Sequence, residues 1–240
     1  MNKFNSSQQI GNIATEFPKS KDLFKEYRID FCCGGERPLI EAIQEQKLDE
    51  TEVMNKLNSL YEEYSAENDL SDKNWQEVPL SQLTDYIVNT HHSYLWSELP
   101  RISKLATTIL RVHGEHHPEL SKVHKSFNTI KMELEVHLAK EEAVQYPAIK
   151  KYEETKDLAD LKVAVRIIRE LQEEHTEAGN VLKELRDITN NFTSPDDGCE
   201  TYELTYNKLK ELESDVFQHI HLESNILFPR LFELGKGMEK

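Results

Sequence analysis

Cysteine is scarce in this chain: three residues among 240, at positions 32, 33 and 199. So sparse and odd a set argues against a secreted disulfide scaffold. Cys32 and Cys33 are also poorly placed to bridge each other, because the peptide between them must strain to bring the sulfurs together. Reduced thiols in a reducing compartment are therefore expected. Long apolar runs are missing as well. None approaches the roughly 20 residues that a membrane-spanning helix needs, and the polar opening MNKFNSSQQ does not read as a signal peptide. Positive charge is in deficit, with Lys+Arg 29 against Asp+Glu 44 and a formal net charge of −15. Such a surface repels nucleic acid and anionic lipid, so neither is an expected partner; the want of a spanning run and of a signal peptide makes the cytoplasm the expected location.

What the chain does carry is helical periodicity. At 38% hydrophobic and 30% charged residues its composition suits a helix-rich protein, and its length allows one large domain and a small companion. The first long pattern runs from about Leu80 to Val112, with Ile87, Leu95, Leu99, Ile102, Leu105 and Ile109 on its apolar stripe and Pro100 as a predicted kink. A turn at Gly114 to His117 follows. The second pattern runs to about Ala148 through Val123, Phe127, Ile130, Leu134 and Leu138. The third covers roughly Leu158 to Phe192, and the fourth about Glu200 to Phe228. Short turns between long amphipathic helices predict an all-α, up-down-up-down four-helix bundle over residues 80–240. Residues 1–65 read as a small separate helical domain, broken at Pro18, Gly34-Gly35 and Pro38, and 66–79 as a polar linker.

One unusual pattern occurs twice. His137-x-x-x-Glu141 is followed by Tyr146-Pro147, and His219-x-x-x-Glu223 by Phe228-Pro229. Positions i and i+4 share a helix face, so each pair aims an imidazole and a carboxylate in one direction. In both cases proline after an aromatic is expected to end or kink the helix. A single histidine on a helix is more often a surface residue than a ligand, so register decides. Counting from each histidine to the nearest turn and back gives roughly 23 and 22 residues between His92 and His137. The same count gives roughly 18 and 20 between His137 and His175, and roughly 21 and 23 between His175 and His219. At about 1.5 Å per residue these four fall at one height, one on each helix. Of the remaining histidines, His91 should point about a hundred degrees away from His92 on an α-helix. His116 and His117 sit in a turn, His221 faces away from His219, and His124 lies too far toward its helix start. His113 approaches the interior near a turn, supporting the site from outside at most, and Cys199 reads as incidental.

Four imidazoles and two carboxylates are too many ligands for one ion and suit two. A structural zinc site is disfavoured for want of a thiolate, and calcium or magnesium for want of oxygen ligands. The Glu-x-x-His pairs of ferritin-like proteins are absent, and affinity alone does not select iron. The bundle does, however, resemble the hemerythrin-like family. His92, His137-x-x-x-Glu141, Glu174-His175-x-Glu177-Ala-Gly179 and His219-Ile-His-Leu-Glu223…Phe-Pro229, preceded by Asp30-Phe-Cys-Cys-Gly-Gly35, are similar to the iron–sulfur cluster repair di-iron proteins. The resemblance spans nearly the whole chain.

It implies two non-haem iron ions per chain, oxo-bridged when oxidised. His92, His137, His175 and His219 would be terminal ligands, with Glu141 and Glu223 bridging. It also implies repair of iron–sulfur clusters damaged by oxidative or nitrosative stress, by iron donation or nitric oxide handling. Damaged iron–sulfur proteins would be the clients and nitric oxide or oxygen the ligands, with a homodimer left open. Cys32 and Cys33 would serve as a redox or iron-relay pair, against the plainer reading that they pack the small domain. Two alternatives stand beside this one: a hemerythrin-like carrier or sensor of oxygen or nitric oxide, and an enzyme reducing nitric oxide or peroxide.

Overall fold

The computed structural model describes residues 3–66 and 74–236; residues 67–73 of the expected linker lie outside the described part. Twelve α-helices follow in order: α1 (Ile10–Glu16), α2 (Ser20–Glu26), α3 (Leu39–Glu45), α4 (Glu50–Ala66), α5 (Leu80–Ile87), α6 (Ser93–His113), α7 (Leu120–Lys140), α8 (Tyr146–Thr155), α9 (Leu158–Arg166), α10 (Ile168–Ile188), α11 (Glu200–Leu222) and α12 (Phe228–Gly235). Three π turns, at Val88–His92, Glu141–Gln145 and Glu223–Leu227, join α5 to α6, α7 to α8 and α11 to α12 without a break. The fold is all-α. Among the described residues an isolated bridge between Gln9 and Pro38 is the one strand-like pairing, and no helix is long and apolar enough to cross a membrane.

Two compact units divide the chain. One holds residues up to Val78 together with Ile220–Lys236; the other begins at Pro79 and ends at His219, so the boundary falls inside α11. The second unit holds the long amphipathic helices expected of a bundle, but it stops at His219, short of the expected span 80–240. In α7, Leu120, Val123, Phe127, Ile130, Leu134 and Leu138 recur every three or four residues and all are buried, while Met132 and Val136 on the opposite face are 61% and 63% exposed. Such a stripe covers one side of the cylinder and forces that side against partners. α6 supplies Leu95, Leu99, Ile102 and Ile109, α10 supplies Leu171, Leu182 and Leu185, and α11 supplies Tyr206, Leu209, Leu212 and Val216.

Polar contacts fix the register of these helices. Arg186 on α10 donates to Glu213 on α11 through Nε at 2.9 Å and Nη2 at 2.6 Å, and both side chains are buried. Lys208 on α11 reaches Glu98 on α6 at 3.2 Å. Glu153 on α8 accepts the Leu80 and Ser81 N–H groups at 2.6 and 3.0 Å, capping α5 from a distant part of the chain.

The expected third helix is two. Ile167, at φ −91° and ψ −5°, stays right-handed but departs from ideal helical angles and separates α9 from α10. α10 then stops at Ile188 rather than Phe192, because Asn190, Asn191 and Phe192 all take positive φ. Three successive left-handed residues cannot extend a right-handed helix. The first helix runs on through Pro100; its irregular turn lies upstream, at Val88–His92.

In the first unit, short helices pack around Phe4, Phe17, Phe24, Phe31, Leu39 and Ile43, each at most 2% exposed. Asn58 holds Phe4 by accepting its N–H at 2.9 Å and donating to its carbonyl at 3.2 Å. Two glycines are needed for close approach: a Cβ on Gly11 or Gly35 would stand 2.1 or 2.2 Å from Asn225 Oδ1.

Candidate metal centre

The π turns place the charged residues. One ends at His92, one begins at Glu141 and one at Glu223. Two of them run directly into a helix with proline at its second position, Pro147 and Pro229. Proline has no N–H to return to the preceding turn, so the α ladder is already interrupted there, and a wider i→i+5 turn tolerates the loss. The repeated aromatic-proline pair thus marks a π turn where a helix end or kink was expected.

Within the bundle, five predicted ligands converge. His92, His137, Glu141, His175 and His219 are each at most 4% exposed. The ring centroids of His137 and His175 lie 4.8 Å apart, and those of His92 and His219 lie 4.9 Å apart. Glu141 stands between the two pairs. Its Oε1 is 3.1 Å from His137 Nε2, while its Oε2 is 3.3 Å from His92 Nε2 and 3.6 Å from His219 Nε2. Donor atoms of His92, Glu141 and His219 lie within 4.8 Å of one another, as do those of His137, Glu141 and His175. Two three-donor groups therefore share one carboxylate, an oxygen to each. Glu223 is fully buried and lies one helical turn beyond His219, in the π turn that belongs to the other unit.

The outer nitrogens explain the orientation of two rings. His92 Nδ1 is 2.9 Å from Glu142, which also accepts from Trp96 Nε1 at 3.1 Å. His137 Nδ1 is 2.7 Å from Glu174, which in turn binds Lys140. A carboxylate only accepts, so both rings donate from Nδ1 and turn the Nε2 lone pair inward. There the lone pairs meet others. His92 Nε2 and both Glu141 oxygens are buried without a hydrogen-bond partner, and His137 Nε2 faces His175 Nε2 at 3.1 Å.

Facing acceptors repel, and buried ones without donors are costly. Cations placed among them remove both penalties, so the donor set fits metal. Burial pushes the Glu141 carboxyl upward; protons on the facing imidazoles, His137 first and then His219 and His92, would hold it well below the usual carboxylate range, and with those lone pairs turned inward a cation takes over that part. Glu174 is held down chiefly by its hydrogen bond to His137, against burial, and also by Lys140. All donors are nitrogen or oxygen, which suits a first-row transition metal better than a thiolate-seeking ion.

Other candidates fall elsewhere. His91 is buried, 2.8 Å from Asp215, and stacks on His219 with ring centroids 5.9 Å apart; an α-helical wheel turned it away. His124 pairs with Thr107 at 3.1 Å, and His113 lies beside Cys199. In the first unit, His221 packs edge-on against Phe31 and faces Asn225 at 3.2 Å. Asn225 Nδ2 also donates to the carbonyls of Phe31 and Cys32 at 3.2 and 3.1 Å, anchoring the Cys-Cys segment.

Cys32 is buried and Cys33 half-buried, their sulfurs 3.8 Å apart with no disulfide. Cys32 Sγ lies 3.2 Å from Asp30. Burial, and then Cys33 and Asp30, push the Cys32 thiol well above its ordinary value, so it rests as a thiol.

Known proteins match this arrangement. Residues 83–231 fit the family described as hemerythrin HHE cation binding domain, and residues 6–61 fit one described only as a domain of unknown function. The chain is 33% identical over 226 residues to a probable iron-sulfur cluster repair protein of Haemophilus influenzae, covering 94% of this chain and 97% of that one. It is 34% identical over 223 residues to the iron-sulfur cluster repair protein YtfE of Cronobacter sakazakii, covering 93% and 95%. To the protein of the same name from an Escherichia coli strain it is 33% identical, covering 93% and 96%.

Proposed function

Because this chain belongs to the iron–sulfur cluster repair proteins built on a hemerythrin bundle, we propose that it holds two iron ions and serves the repair of iron–sulfur clusters damaged by oxidative or nitrosative stress. The observation that carries the reading is the division of Glu141, with one oxygen toward His137 and the other toward His92 and His219. That is the disposition of a carboxylate bridging two cations. His137 and His175 would hold one ion, His92 and His219 the other. Glu223, at the same four-residue offset from His219 that separates Glu141 from His137, would be the second bridging carboxylate.

When bound, the iron pair supplies one-electron redox chemistry and, as cargo, the metal that a damaged cluster lacks. The protein's own residues do the rest. Glu142 and Glu174 fix the tautomers of His92 and His137, so that each presents a lone pair rather than a proton. Burial of Glu141 excludes water that would otherwise compete for its oxygens. Six nitrogen and oxygen side chains without a thiolate would hold the iron outside a closed sulfur cage, from which release to a client is proposed. Cys32, starting as a thiol, would act in transfer with Cys33 only after losing its proton.

The test is metal analysis and visible spectroscopy of protein isolated from iron-fed cells. Two irons per chain with absorption characteristic of a di-iron site support the assignment; zinc, or iron substoichiometric to one, overturns it. The repair role is read separately, from an iron–sulfur hydratase inactivated by peroxide. It should regain activity with iron-loaded protein and not with the iron-free form. A carrier that merely holds oxygen or nitric oxide would leave the hydratase inactive in both.

A further inference from the structure

The bundle carries a second chemically loaded cluster, built from the turn between α6 and α7 and the turn before α11. His113 Nε2 lies 3.2 Å from Cys199 Sγ, a contact between residues 86 apart in sequence. Cys199 is exposed and forms no disulfide. It also accepts the Tyr202 N–H through its carbonyl at 2.8 Å, placing it at the start of the 23-residue α11. Tyr202 lies edge-on to His113 with ring centroids 5.3 Å apart, and His117 faces the same tyrosine at 5.5 Å. Asp197 and Glu119 take the two ring nitrogens of His117, each at 3.1 Å, leaving His113 to the sulfur.

A nucleophile within hydrogen-bond reach of a base, the base set against a third group, is the arrangement that activates a thiol. We propose that Cys199 and His113 form a reactive thiolate–imidazole pair that exchanges with low-molecular-weight disulfides, making Cys199 a site of reversible mixed-disulfide formation. His113 accepts the Cys199 proton. The thiolate attacks one sulfur of the disulfide, a new S–S bond forms as the old one breaks, and the departing sulfur leaves with the electron pair. His113 can return the proton to that leaving thiolate. Cys199 is exposed, so a disulfide in solution can reach its sulfur.

The groups facing the pair are His117, Tyr202, Asp197 and Glu119, and the direction of titration follows from them. The hydrogen bond from His113, then N–H groups of Tyr202 and Thr201, outweigh the small burial and bring the thiol from 9.0 down to about 7. Half of it is then thiolate at neutral pH, against about one per cent for a thiol near 9. The lower pKa also weakens each thiolate as a nucleophile, by about eight-fold over two units. The net expectation is a rate about five-fold faster at pH 7 than for an unassisted thiol near 9.

The experiment uses the full chain with glutathione disulfide over pH 5–10, each cysteine followed by peptide mass spectrometry. Cys199 should react with a midpoint near 7 and about five-fold faster at pH 7 than an unassisted thiol, and His113→Asn should raise that midpoint and remove part of the advantage. Circular dichroism of the variant checks the fold, and the urea-unfolded wild type gives the rate of an unassisted thiol. A Cys199 rate equal to the unfolded chain's, or a midpoint that His113→Asn does not move, overturns the proposal.

Discussion

Glu174 touches none of the proposed metals, yet its removal should weaken one of them selectively. Its Oε2 receives His137 Nδ1–H at 2.7 Å, and its other oxygen binds Lys140. Replacing it with alanine frees the ring to rotate and to exchange tautomers, so part of the population would present a proton where a lone pair is needed. Loss of such an outer partner costs about 10–100-fold in metal affinity, or about 1.4–2.7 kcal/mol. The Glu174 side chain is 29% exposed, so water can replace part of the interaction. Glu174→Gln keeps an acceptor and should fall near the lower end, with Glu174→Ala near the upper.

The division of Glu141 makes the effect local. Glu174 supports the ring that shares a group with His175, whereas Glu142 supports His92, which groups with His219. Titration of the iron-loaded protein with a graded chelator series should resolve two steps. Glu174→Ala shifts one of them, Glu142→Ala shifts the other, and the double variant shifts both. Because Glu142 is 37% exposed and its bond is longer, at 2.9 Å, its shift should be the smaller. If both steps stay put, or either substitution moves both equally, then two cation positions sharing Glu141 is the wrong description.

Arg186→Met takes the guanidinium away from buried Glu213 and should cost about 3–5 kcal/mol in urea unfolding; adding Glu213→Leu should restore most of it. Gly35→Ala drives a Cβ into Asn225 and should destabilise by about 1–3 kcal/mol, with Asn225→Ala recovering part in the double variant. Glu153→Gln removes a charged cap from α5 and should cost about 1 kcal/mol at pH 7. Burial alone would raise the Glu153 pKa, but hydrogen bonds from Ser81 and Leu80 bring it below 4.5. Its contribution is therefore complete above the unfolded value and lost as pH falls through the folded one, so the variant's acid limb should be flatter. Chelation of the loaded protein should lower Tm, because a ligand at a hundred times its Kd adds about 2.7 kcal/mol.

The architecture was written in the apolar stripe. The three- and four-residue spacing from Leu120 to Leu138 has one helical solution, and short turns leave little choice but antiparallel neighbours. Register was legible for a related reason: rise per residue is constant, so equal counts to a turn put His92, His137, His175 and His219 at one height, and the structure brings their rings together. What constant geometry cannot foresee is its own interruption. His91 was turned away on an α wheel, but the π turn at Val88–His92 widens the helix there and leaves the ring stacked on His219. Glu142 and Glu174 were invisible as ring-orienting residues for another cause. In a chain with 44 acidic residues, one more beside a ligand carries no signal until a nitrogen is seen facing it.

The same distinction explains why the His113–Cys199 pair escaped the reading while the bundle centre did not. A site inside a helical bundle inherits its order from the helices, and the apolar period of each helix reveals which face lines it. A site between two turns depends on how each turn folds, and turn conformation is set by single residues. Asn190, Asn191 and Phe192, at positive φ, determine where the chain leaves α10, and hence where Cys199 begins α11. Gly114 and the N–H groups that His116 and His117 return to the His113 carbonyl do the same for the other turn. Substitutions at Asn190 or Asn191 should therefore alter Cys199 reactivity while leaving the chelator steps of the bundle centre unchanged. The two clusters answer to different parts of the fold, and each can be perturbed while the other reports.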